Sequence, residues 1–201
     1  MMSVEALRQS LPEFARDVRL NLGTLLGSGG LPDLSAAQIW GSALAAAIAA
    51  RNGRVVDVIE SVAAAHADPA TIEAARVAAA IMAMANIYYR AVHMAADPDL
   101  AGLPAGLRMN GLAKHGIAQG DFELLGLAAS VVNGCAGCTE AHVAGARQHG
   151  ISTPAIQSVI RIAAVIHAAA TVFDATPEHA SSERGRPNPS ISRQQTLSGA
   201  N

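Results

Sequence analysis

Cysteine is nearly absent from this chain, at two in 201 residues, and the frameworks that depend on it are excluded with it. A disulfide-stapled secreted domain needs several pairs, whereas here both cysteines, Cys135 and Cys138, sit within a single helical turn of sequence. Aromatic residues supply 3% of the chain and charged residues 15%. Acidic and basic side chains almost balance, 16 against 14, for a formal net charge of −2, so neither nucleic acid nor a membrane surface is an expected partner. Uninterrupted apolar runs of the roughly 18 residues needed to span a bilayer are missing, because Arg76 and His167 break the best candidates. The opening residues, with Glu5 and Arg8, lack the basic start and apolar core of a secretory leader, and the expected location is cytoplasmic. No segment alternates with the two-residue period of a strand, which leaves an all-α fold as the expectation.

Hydrophobic residues make up 51% of the sequence, mostly Ala, Val, Leu and Ile arranged at helical spacing. Leu11, Phe14, Val18, Leu22 and Leu25 recur every three or four residues, with Ser10 and Glu13 placed as a capping box. Ser35 and Gln38 offer a second box ahead of Ala36 to Arg51, which Asn52-Gly53 ends. Val55, Val56, Ile59 and Val62 carry the period to Ala67. Asp68-Pro69 then caps a long segment to Met94, with Val77, Ile81, Met84 and Tyr88 along one side. Pro98, Gly102, Pro104 and Gly106 mark an irregular connector. Helical patterning resumes over Phe122 to Val132, Cys135 to Gln148 and Pro154 to Phe173. The expected helical domain therefore covers 1–174, and the Pro-, Ser- and Gly-rich composition of 175–201 reads as a disordered tail. Leu44 to Ile48 before Asn52-Gly53 echoes Leu127 to Val131 before Asn133-Gly134, with a spacing that differs by two residues, which raises an internally duplicated helical unit. The Ala-rich stretches 43–50 and 163–170 suit close helix contacts within or between subunits.

Chemistry is concentrated around the cysteines. A helix that starts at the Gly134-Cys135 turn places Cys135, Cys138 and His142 on one face within two turns. Unpaired amides at that helix start stabilise a thiolate, and His142, one turn beyond Cys138, can take its proton. If the helices flanking Gly134 fold back as a hairpin, position 142 falls opposite 126, about one turn from Glu123, whose carboxylate would then orient the imidazole. The expected chain is Glu123 to His142 to Cys138, with Cys135 ready to attack an oxidised Cys138. Two inert core cysteines are the bland alternative. A zinc site on Cys135, Cys138 and His142 is the sharper one, with its fourth ligand from Glu123 or a distant histidine. Thr139 excludes c-type haem attachment, and the lack of strands excludes a thioredoxin-like fold. His66, His93, His115, His149, His167 and His179 read as surface or satisfied core residues, and Met82, Met84 and Met94 with Tyr88 and Tyr89 as packing.

The segment from Asp121 to His142, with Phe122-Glu123, Asn133-Gly134-Cys135 and the CxxC-x3-His spacing, resembles the alkyl hydroperoxide reductase AhpD family. Leu11-Pro12-Glu13, Leu20-Asn21-Leu22-Gly23, Trp40-Gly41, Met82 to Asn86 with Tyr89-Arg90, and Leu107 to Asn110 match it too, so the resemblance runs from about Ser3 to Asp174. It implies an AhpD-like helical fold shared with carboxymuconolactone decarboxylases, a homotrimer, and an antioxidant lipoyl-dependent peroxidase that reduces organic hydroperoxides through a Cys135/Cys138 disulfide. By that resemblance Cys138 is peroxidatic and passes through a sulfenic acid, Cys135 is proton donor and resolving cysteine, and Glu123 and His142 relay protons. Dihydrolipoamide is the implied electron donor, fed by a lipoylated acyltransferase and lipoamide dehydrogenase, with the peroxiredoxin AhpC as an electron acceptor. Some members carry histidine directly before the second cysteine, where this chain has Gly137. Two alternatives from other classes are a zinc-binding or redox-sensing module and a carboxymuconolactone decarboxylase-like enzyme, which has no need of the CxxC.

Overall fold

Ser35 and Gln38 form the capping box that their spacing predicts. The Ser35 hydroxyl accepts from the Gln38 amide at 3.2 Å, and the Gln38 side chain accepts from the Ser35 amide at 2.8 Å. From this start α3 (Ala36–Ala50) runs buried on nearly every side. A helix of alanines can be approached closely all round, and α3 is packed by four neighbours: α4 (Gly53–His66), α5 (Pro69–Ala95), α7 (Gln119–Asn133) and α9 (Thr153–Ala175). Its alanines are thus spent inside the chain rather than between subunits. Replacing Ser35 by Ala removes a reciprocal cap and should cost about 1 kcal/mol, read as a lower denaturant midpoint with an unchanged slope.

The structure, a computed structural model, describes residues 3–27, 29 and 31–176. Among them lie nine α-helices, two 3-10 turns and no strand. Besides those named, the helices are α1 (Val4–Gln9), α2 (Arg16–Leu26), α6 (Pro98–Ala101) and α8 (Ala136–Gln148). The expected tail lies outside the described residues from position 177, and α9 itself continues through Ala175. α5 and α9 are long and apolar enough by length and composition to cross a bilayer, but 44% and 50% of their most apolar stretches are buried within the fold, against α3 and α7.

One sequence expectation is corrected. Ser10 and Glu13 make no capping box: Ser10 closes α1, its hydroxyl donating to the Leu7 carbonyl at 2.7 Å, while Glu13 opens a 3-10 turn and pairs with Arg19. Pro12 is the reason, since it keeps Leu11 out of the helical region and delays α2 to Arg16. On α5, the Val77, Ile81, Met84, Tyr88 row lies along the flank, partly or well exposed, and the smaller Ala74, Ala75, Ala78 and Ala79 face inward. The row read from the sequence thus does lie along one side, and close helix packing selects the small residues for the inward face.

The internal echo acquires a definite register. α3 ends on left-handed Arg51 (φ 65°) and α7 on left-handed Gly134 (φ 67°), so the two turns coincide without the two-residue offset. The next residues then correspond, and each caps the following helix: Asn52 Oδ1 accepts from the Val55 amide at 3.0 Å, and Cys135 Sγ accepts from the Cys138 amide at 3.3 Å. Each second helix leads to an N-cap and an early proline, Asp68-Pro69 before α5 and Ser152-Thr153-Pro154 before α9. The same helix-turn-helix series occurs twice, and only its second copy carries the cysteines and His142.

Candidate active site

The αL turn at Gly134 folds α8 back on α7. Their contact requires glycine at two facing positions. A Cβ on Gly126 would stand 2.7 Å from Nε2 and 2.9 Å from Nδ1 of His142, and one on Gly145 would stand 2.7 Å from the Glu123 carboxyl carbon. In the space so left, His142 Nδ1 meets Glu123 Oε2 at 2.7 Å. Both side chains are largely sheltered, 12% and 16% exposed.

Burial pushes the Glu123 carboxyl up, but hydrogen bonds from His142 and Gln119, together with the nearby charge of His142 and His149, outweigh it and hold the group below the ordinary carboxylate range. It is therefore ionised at neutral pH and accepts the Nδ1 hydrogen. Gln119 Nε2 donates to the other carboxylate oxygen at 2.7 Å. The Gln119 amide is itself oriented by His115, whose Nδ1 accepts from the Ile117 amide at 3.4 Å and whose Nε2 hydrogen goes to Gln119 Oε1 at 2.9 Å. His115 also stacks on Phe122 with ring centroids 4.0 Å apart. Histidine 115 thus belongs to the support of the site, which no local spacing revealed.

Because the folded carboxyl titrates below its unfolded value, the stabilisation from Glu123 is fully present above the ordinary carboxylate range and is lost as pH falls through the folded value. Glu123→Gln should cost about 1–2 kcal/mol at neutral pH, a difference that shrinks below about pH 4. Thermal melts of both proteins across that range check the sign.

Cys135 and Cys138 bring their sulfurs within bonding reach across the first turn of α8, with Cα atoms 5.3 Å apart. They differ in access. Cys135 is 1% exposed and Cys138 9%, and of the two only Cys138 lines a cavity of about 750 Å³ between α5, the 96–112 connector and α8. His142, Gly137 and Ala141 share its wall with Met82, Tyr89 and Met109. The connector, with Asp97, Pro98, Ala101 and Leu112 in the lining, closes one side of the cavity as well as joining the halves of the chain. A Cβ at Gly137 would meet nothing within 4 Å, so a histidine at that position would project into open space beside Cys138. No three of His, Cys, Asp and Glu converge on a metal position among the described residues. Nδ1 of His142 is turned to Glu123 and Nε2 to Met82.

Residues 98–177 match the model of the carboxymuconolactone decarboxylase family. Over 174 residues, 87% of this chain, the sequence is 51% identical to an alkyl hydroperoxide reductase AhpD of Rhodospirillum centenum, covering 92% of that protein. The chain belongs to the AhpD family. Proteins of the same name from Frankia alni and a Bradyrhizobium species are 47% and 44% identical over the same share of this chain, and 92% and 94% of their own lengths are covered. The AhpD resemblance read from the CxxC-x3-His segment and the scattered N-terminal matches thus holds over most of the chain, and its all-helical fold is the one observed.

Proposed function

We propose that this chain is a peroxidase that reduces organic hydroperoxides, with Cys138 as nucleophile. The observation that carries the reading is the placement of Cys138 in the wall of an apolar cavity beside an imidazole already paired with a carboxylate. His142 Nε2 takes the thiol proton. The thiolate attacks the terminal oxygen of the hydroperoxide, the S–O bond forms as the O–O bond breaks, and the proton returns from Nε2 to the departing alkoxide, leaving an alcohol and a Cys138 sulfenic acid. Cys135 then attacks that sulfur, water leaves, and the disulfide closes. A dithiol restores both thiols with two electrons and two protons. Glu123 keeps its charge throughout, compensating the imidazolium and fixing the ring.

Membership of the AhpD family supports dihydrolipoamide as that dithiol, supplied by a lipoylated acyltransferase and lipoamide dehydrogenase, and AhpC as a further partner that accepts electrons. It supports a homotrimer and a cytoplasmic, antioxidant setting in the same way. The test is NADH oxidation in the presence of lipoamide, lipoamide dehydrogenase and cumene hydroperoxide. Turnover that disappears in Cys138→Ser supports the whole chain of transfer, and no turnover in either protein refutes the lipoyl-dependent reading. Light scattering at the mass of a monomer would contradict the trimer.

A further inference from the structure

Met82, on α5, is far from the CxxC in sequence, and its sulfur stands 3.2 Å from Nε2 of His142. Asn86, fully buried one turn along α5, donates from Nδ2 to Met82 Sδ at 3.5 Å and to Ser130 Oγ at 3.1 Å, while its Oδ1 accepts from Asn133 Nδ2 at 3.0 Å. Asn133 is held in turn by Arg90, which donates to its carbonyl. With Oδ1 accepting from Asn133, the Nδ2 hydrogens of Asn86 go to the sulfur and to Ser130. A thioether only accepts. The 3.2 Å contact therefore becomes a hydrogen bond whenever Nε2 carries a hydrogen. Nδ1 meanwhile keeps its own hydrogen for Glu123.

We propose that Met82 is a positioning residue, the acceptor that holds the Nε2 hydrogen of His142 between its removal from Cys138 and its delivery to the leaving alkoxide. The step it serves is the one balanced above, so its effect on turnover rests on the peroxidase reading; the hydrogen bond itself does not. A thioether suits the task because it is a weak acceptor. It steadies the ring with both nitrogens protonated, yet releases the hydrogen to an alkoxide, a far stronger acceptor. A carboxylate at the same place would hold it and compete with product formation. The buried asparagine, serine and arginine contacts behind Met82 account for the fixed position of a side chain that is otherwise flexible.

The test uses the full-length protein labelled with nitrogen-15 and kept anaerobically reduced, the form in which His142 holds the proton taken from Cys138. Wild type should show a slowly exchanging Nε2–H signal for His142, assigned by its loss in His142→Gln, with Nδ1 also protonated. Met82→Leu keeps the volume and removes the acceptor; that signal should then exchange rapidly, and kcat for cumene hydroperoxide should fall about five- to tenfold with KM held within about twofold. Met82→Gln, which offers an amide oxygen in place of the sulfur, should recover the slow signal and most of the rate. A wild-type spectrum with a bare Nε2, or a Met82→Leu spectrum in which the protected signal persists, overturns the proposal. Because the wild-type spectrum is decisive by itself, a misfolded variant does not shelter the idea, and absence of peroxidase activity with the protected signal intact would refute only the catalytic reading.

Discussion

Cys138→Ser and Cys135→Ser should fail in different ways. Without Cys138 the cavity holds no reachable thiol, and hydroperoxide reduction should drop by about a thousandfold or more. Without Cys135 the nucleophile, its histidine and the cavity all remain, so the first oxygen transfer still runs once per chain and then stalls, because no resolving thiol can close the disulfide. The expected product is one equivalent of alcohol and a Cys138 sulfenic acid that dimedone traps. The asymmetry follows from access: Cys138 lines the cavity at 9% exposure, whereas Cys135 is 1% exposed and uses its sulfur to cap α8. Equal bursts from both variants would mean that either sulfur can attack first and would remove that assignment.

Gly126→Ala should be the most damaging small substitution outside the reacting groups. Within an isolated helix the change would be favourable by about 1 kcal/mol, since alanine is the better helix former. In the fold the added methyl would fall on the His142 ring, 2.7 Å from Nε2, and that ring is tethered to Glu123. Either α8 is pushed off α7, at about 1–3 kcal/mol, or the ring leaves Glu123 and Met82. Displacement of a proton-transfer group by about an ångström can lower turnover about a hundredfold. The measurement pairs a denaturation curve with kcat. A gain in stability with full activity would show that the hairpin has slack that the close contact of Gly126 and His142 does not suggest.

Which parts of this arrangement were legible in the sequence depends on how far each contact reaches. The pairing of Glu123 with His142 could be anticipated because one tight turn at Gly134 relates the two positions, and hairpin geometry converts chain distance into spatial distance. Gly126 and Gly145 carry a trace of the same contact, yet a helical glycine means little until the facing ring is known. Met82 and Asn86 stand out only within a family-like segment; that they reach the site is not legible, since they come from α5 and no local spacing links them to α8. His115 reads as an ordinary histidine for the same reason; its role appears only through Gln119. Nearer the N-terminus, Ser10 and Glu13 had the right spacing for a cap but the wrong neighbour, Pro12. Arg51, not Asn52, takes the left-handed turn after α3, which displaced the apparent register of the two helical units by sequence though not in space.

The central claim is that the Cys135/Cys138 pair, and not the fold alone, reduces a hydroperoxide. Its most direct measurement is a thiol count on anaerobically reduced protein mixed with a single equivalent of cumene hydroperoxide. The account predicts that two thiols vanish for each cumyl alcohol formed, that the protein gains an intramolecular disulfide, and that Cys138→Ser forms no alcohol. Alcohol formed while both thiols persist, or thiols that persist with no alcohol formed at all, would contradict it.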